Sequence, residues 1–146
     1  MKEINTEIMI DATPEKTWKV LMDFSNWKDW NPIVASAEGA VELGSNLMIT
    51  MKGKDGKNIQ KYSAKITRLD PPHSFSWTAK MGAGFLFTNQ KVFEVLKTDK
   101  GTKLIHREIF SGLMANLFWG KMEKFVPVML DSMNMALKNK IEKESQ

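Results

Sequence analysis

The sequence predicts an α+β domain in which seven antiparallel strands curve around one long C-terminal helix, with two short helices between strands 1 and 2. Three observations carry this. An alternating segment over residues 3–10 runs into a capped helix start at Thr13-Pro14. From Ile33 to Gly112, short alternating segments are separated by turn residues. From about Met114 to Lys143, apolar residues recur at three- and four-residue steps.

Each element follows from its residues. Ile4, Thr6, Ile8 and Ile10 share one face of the first strand, with Asn5, Glu7 and Met9 on the other. Thr13 is a good N-cap, and Pro14 at the first helical position has its φ already set, so a helix is expected from Pro14 to about Met22. A second short helical turn is expected at Asp23–Trp27, stopping before Pro32. A weaker strand covers Ile33–Ala40. Asp55-Gly56 is the strongest two-residue hairpin signal, joining Leu47–Lys52 to Ile59–Leu69. Asp70-Pro71-Pro72 ends the latter, since proline cannot donate to a ladder. Phe75, Trp77 and Ala79 mark a further strand, and Gly82-Ala83-Gly84 the next turn. Strands at Thr88–Leu96 and Thr102–Phe110 flank a hairpin loop at residues 98–101. Pro127 lies inside the C-terminal pattern and is expected either to kink that helix or to begin a second one.

Composition bounds the function. At 146 residues with 42% hydrophobic side chains, the chain reads as a single domain over 1–146 with one core. It has no cysteine, which excludes disulfides and thiol chemistry. With only two histidines as well, no metal site is expected. No run of about 18 apolar residues suggests a membrane span. The start Met1-Lys2-Glu3-Ile4-Asn5 lacks the apolar block of a signal peptide, so a cytoplasmic location is expected. The net charge of +4 includes a lysine group at Lys52, Lys54, Lys57, Lys61 and Lys65, interleaved with acidic residues and free of an arginine cluster. It reads as a solvated hairpin tip, and no nucleic-acid partner is expected. Methionine is the outlier, with 11 residues, and its flexible thioether suits either gap-filling or an adaptable ligand surface.

Four stretches carry a resemblance. They are Ile10-Asp11-Ala12-Thr13-Pro14-Glu15-Lys16-Thr17-Trp18 with Leu21 and Asp23; Trp30-Asn31-Pro32; Gly101-Thr102 through His106-Arg107-Glu108-Ile109-Phe110-Ser111-Gly112; and Met133-Asn134-Met135-Ala136-Leu137-Lys138. In this order they resemble the SRPBCC, or START-like (Bet v 1-like helix-grip), superfamily, which includes lipid-transfer domains, plant hormone receptors and polyketide cyclases. The likeness is to small bacterial polyketide cyclase-like or coenzyme Q-binding-like members. It implies a helix-grip fold with a cavity between sheet and helix.

On that fold, candidate cavity residues are Met51, Tyr62, Ala64, Ile66, Phe75, Trp77, Phe93 and Val95 from the sheet. The helix would add Phe118, Met122, Phe125, Met129 and Met133, and Trp27 and Trp30 would form either an entrance rim or an end seal. His106 and Glu108 are two apart and so share a strand face, as a general acid and base or as a structural hydrogen-bonded pair. Alternation alone leaves open which face is inward, because Ile105 and Ile109 are apolar too. The leading expectation is the binding of a small hydrophobic molecule (lipid, isoprenoid or polyketide-like) without covalent chemistry and without a cofactor. One alternative is a cyclase, dehydratase or hydrolase using His106 and Glu108. Another is a protein-interaction module of the chaperone-activator kind.

Overall fold

The computed structural model describes residues 1–53, 58–82 and 85–144. The Asp55-Gly56 turn, and Ala83 and Gly84 of the next one, lie outside these residues. Strand β1 (Lys2–Ile10) leads to helix α1 (Pro14–Leu21), a 3₁₀ turn (Phe24–Asn26) and the four-residue α2 (Trp27–Trp30). Then come β2 (Val34–Glu38), β3 (Asn46–Lys52), β4 (Asn58–Asp70), β5 (Ser74–Met81), β6 (Phe87–Thr98) and β7 (Gly101–Ser111). Helix α3 (Leu113–Glu144) ends the chain. The seven strands form one antiparallel sheet in the order β1-β7-β6-β5-β4-β3-β2, as the alternation and turn signals require.

The expected elements are present, with two adjustments: the short helical turn expected at Asp23–Trp27 is a 3₁₀ turn continued by α2 to Trp30, and the C-terminal helix is unbroken. Pro127 neither ends α3 nor starts a second helix: 32 residues run as one helix across it. Proline removes one helical donor there, and packing of the buried face on both sides (Met122, Val126, Leu130, Met133) holds the helix through the defect. By the rise per residue the helix is about 48 Å long, enough to cross the whole sheet.

Helix α1 begins as its residues dictate. The Thr13 hydroxyl accepts from the Lys16 backbone N–H at 3.2 Å, and Pro14 is the first helical residue. Two long-range bonds tie this start to the end of α3: the Asp11 N–H donates to Glu142 at 2.8 Å, and Lys16 Nζ to the Glu144 carbonyl at 2.9 Å. Thr13→Ala should cost about 1 kcal/mol, the usual worth of an N-cap, read as a shift in the urea midpoint with an unchanged slope.

The packing divides the molecule into two ends. Under the C-terminal half of α3, Met133, Leu137 and Ile141 close onto Phe75, Trp77, Phe93 and Leu104 in a continuous core. Phe24, Trp27 and Trp77 stack edge-on or tilted at 5.0–6.4 Å and fill that end of the sheet. A smaller cluster of Ile4, Phe110, Ala115, Met122, Val126 and Leu130 lies under the N-terminal half. Between the two clusters the interior is open.

Candidate functional site

The site is built on β6 and β7. Their hairpin pairs Thr98 with Gly101, and the register carried back from it sets Phe93 opposite His106 and Lys91 opposite Glu108. The inward face of β7 is the one carrying Leu104, His106 and Phe110, all buried. His106 is therefore an interior residue, stacked on Phe93 with ring centroids 4.2 Å apart.

These cross-strand pairs place a polar chain inside the protein. Lys91 Nζ lies 2.7 Å from Glu108 Oε1 and 2.8 Å from His106 Nε2. His106 Nδ1 lies 2.8 Å from Asn134 Oδ1, on α3. Asn134 Nδ2 donates to Thr6 Oγ1, and Thr6 Oγ1 donates to the His106 carbonyl, each at 2.8 Å. This directionality sets the imidazole's protons. An amide oxygen only accepts, so Nδ1 carries the hydrogen and Nε2 accepts from the lysine ammonium. Burial, reinforced by the Lys91 charge, holds the His106 pKa well below the ordinary 6.5, against the opposing Asn134 bond. The imidazole is neutral at neutral pH. Glu108 also accepts from Asn89 Nδ2 at 3.2 Å.

Lys91 and Glu108 form the polar floor of a cavity of about 300 Å³ beneath the first half of α3. Tyr62 and Asn89 join them there, while Met51, Met81, Met122 and Met129 supply much of the apolar wall. Burial, and secondarily the Glu108 carboxylate, push the Tyr62 phenol well above its usual range, so its hydroxyl keeps its proton.

The residues expected from sequence divide between two places. Met51, Tyr62, Met122, Phe125 and Met129 line the cavity, as does Glu108. Ala64, Ile66, Phe75, Trp77, Phe93, Val95 and Met133 belong to the packed core at the other end. They face inward as alternation requires, but α3 lies close enough there to fill the space with side chains. Phe118 is on the outer side of α3, beside Leu117 and Lys121. Trp27 is fully buried, with its indole N–H on the Leu21 carbonyl at 2.9 Å, and so seals the closed end. Trp30 packs edge-on against it at 5.8 Å and borders an outer groove with Thr13 and Lys16. His106 touches the cavity only through Lys91, its two ring nitrogens being engaged by Lys91 and Asn134.

Sequence reasoning missed Lys91, Asn89, Asn134 and Thr6. Lys91 was within reach: the loop after Thr98 fixes a register in which position 91 faces 108. Asn134 gave a weaker signal, as a polar residue on an apolar helix stripe. Among the described residues, no cluster of three or more His, Asp or Glu side chains could hold a metal ion.

A curved sheet gripping one long helix, with a cavity between them, defines a helix-grip domain. The chain belongs to the family described as polyketide cyclase / dehydrase and lipid transport, which it matches over residues 1–142. Among curated proteins, none matches it by sequence. Solved structures share its fold. The Zhui aromatase/cyclase from Streptomyces sp. R1128 superposes with a TM-score of 0.80 at 15% identity, over 99% of this chain and 96% of that one. TTHA0849 from Thermus thermophilus gives 0.78 at 16% identity, over 99% and 100%. The di-domain aromatase/cyclase StfQ of the steffimycin biosynthetic pathway gives 0.79 at 12% identity, over 98% of this chain and 51% of that one. No helix of the described residues is long and apolar enough to cross a membrane.

Proposed function

We propose that this protein binds a compact, largely apolar molecule in the cavity under the first half of α3, without covalent chemistry. One observation carries the reading: an apolar, methionine-rich cavity of about 300 Å³ that ends on a single buried polar cluster. That volume is at the low end for small-molecule sites, and convergent polar groups in an apolar wall are their usual construction. The flexible methionines suit a ligand of variable shape. Lys91 and Glu108 offset each other's charge, so the floor favours a neutral ligand. An ammonium has three donors, and Glu108 and His106 take two. The third, with the Tyr62 hydroxyl, would hold an oxygen at one end of the ligand.

Calorimetric titration with isoprenoid alcohols, quinones and fatty acids tests this, alongside mass spectrometry of small molecules that copurify. Binding should be strongest for neutral, oxygen-bearing members. Tyr62→Phe should weaken it about tenfold, the worth of one hydrogen bond. Met129→Trp should abolish it by filling the cavity. Silence across the panel with no copurifying molecule would end the proposal.

The position of Glu108 favours a second reading. Its carboxylate and the Lys91 ammonium both reach the cavity, so a bound carbonyl compound could lose an α-proton to Glu108 while Lys91 stabilises the enolate. His106 would then position Lys91 rather than transfer protons itself. Glu108→Gln should abolish deuterium exchange into a bound ketone without displacing it; exchange at the wild-type rate would dismiss this reading.

A further inference from the structure

Helix α3 is apolar on the wrong side for a simple core helix. Its buried face carries Ala115, Met122, Val126 and Leu130. At 100° per residue, positions 113, 117, 121, 124 and 128 run along the opposite side. That outward line holds Leu113, Leu117 and Val128, which are 64%, 72% and 67% exposed. Met114, Phe118 and Phe125 flank it, also exposed. Phe85 and Leu86 of the β5–β6 connection extend the patch, because their carbonyls accept from Leu113 and Met114 at 3.1 and 2.9 Å. The charged side chains on this line are Lys121 and Lys124, and neither forms an ion pair among the described residues. Farther along, the outward face turns to Asp131, Lys138 and Glu142, so the apolar surface ends near Val128.

We infer that this face docks on the surface of an anionic lipid bilayer. Apolar side chains interrupted only by lysines match the boundary between acyl chains and anionic headgroups: the former enter, and the lysine stems lie along the surface with their charges at phosphate level. A second copy of this chain is a poorer occupant, because a two-fold contact through this face gathers Lys121 and Lys124 of both copies into one interface with no carboxylate on the line to offset them. The face also meets the cavity. Phe125 is half exposed on the patch and lines the interior with Met129, so docking would bring this side of the cavity to the lipid. Docking through this face does not require any particular molecule in the cavity.

Flotation with vesicles tests it. The wild-type protein should float with mixed phosphatidylcholine–phosphatidylglycerol vesicles and far less with phosphatidylcholine alone. Lys121→Gln/Lys124→Gln should weaken binding to the anionic vesicles about 30-fold, at roughly one lysine's attraction to an anionic surface each. Leu117→Ser/Val128→Ser should weaken it roughly tenfold or more through lost apolar burial. Met135→Ser, on the same side but beyond the patch, should change nothing. All these side chains point outward, so thermal melts should coincide and exclude misfolding. Absence of flotation, or flotation indifferent to the Leu117/Val128 pair, overturns the proposal. A dimer that Leu117→Ser/Val128→Ser dissociates, without vesicle binding, overturns it in favour of self-association.

Discussion

Lys91→Met should destabilise the protein by about 3–4 kcal/mol, measured from urea unfolding. The replacement is close in length and apolar, so the loss is electrostatic rather than steric. Lys91 is only 3% exposed and supplies partners to the buried His106 and to Glu108, whose side chain is 14% exposed. Without it the Glu108 carboxylate keeps only the Asn89 amide, and His106 Nε2 loses its donor in a dry setting. Removing one member of a buried pair leaves the other charge uncompensated, which costs more than the pair itself contributes. Lys91→Met/Glu108→Gln should therefore recover about half of the loss, because the second change removes the orphaned charge. A single variant within 1 kcal/mol of wild type would mean that water already solvates this cluster, and the polar floor would be wrongly drawn.

The fold was legible because its signals are local and agree with one another. The Thr13-Pro14 cap, the strand alternation and the three- and four-residue steps of the tail each name one element, and antiparallel hairpins then leave little freedom of order. The site was less legible, for a physical reason. Alternation says which residues face inward, but not how closely the helix approaches them. Phe75, Trp77 and Phe93 carry the same inward signature as Tyr62, yet α3 packs on the first three and stands away from the last. That difference depends on the course of α3, which begins 51 residues after Tyr62 and 20 after Phe93. The outward apolar face was hidden similarly: Leu117 and Phe118 fit the spacing of a buried stripe, and only the placement of the helix shows them facing solvent. His106 gave its identity but not its environment, since Lys91 comes from the neighbouring strand and Asn134 from the helix.

That environment makes a pH prediction. His106 has a folded-state pKa well below the ordinary 6.5, chiefly through burial, with Lys91 adding to the effect. Above pH 6.5 the imidazole is neutral in both the folded and unfolded chain, and it contributes no pH dependence. Below 6.5 the unfolded chain takes up a proton that the folded chain refuses, so the unfolded state binds more protons and stability rises with pH. Stability should accordingly fall as the solution is acidified from pH 6.5 toward the lowered folded-state value, by up to about 1.4 kcal/mol per pH unit. Other groups add to acid unfolding; the Glu142 carboxyl, lowered by its bonds to the Asp11 N–H and to Lys138, works in the same direction but is only partly buried. His106→Gln isolates the imidazole. Glutamine can still bridge between Lys91 and Asn134 but does not titrate, so the two proteins share every other acid-sensitive group. The expected result is a wild-type stability curve that falls more steeply than the variant's below pH 6.5 and runs parallel to it above. Parallel curves throughout would mean that the ring accepts its proton in the folded state, and that Lys91 moves away from Nε2 when it does.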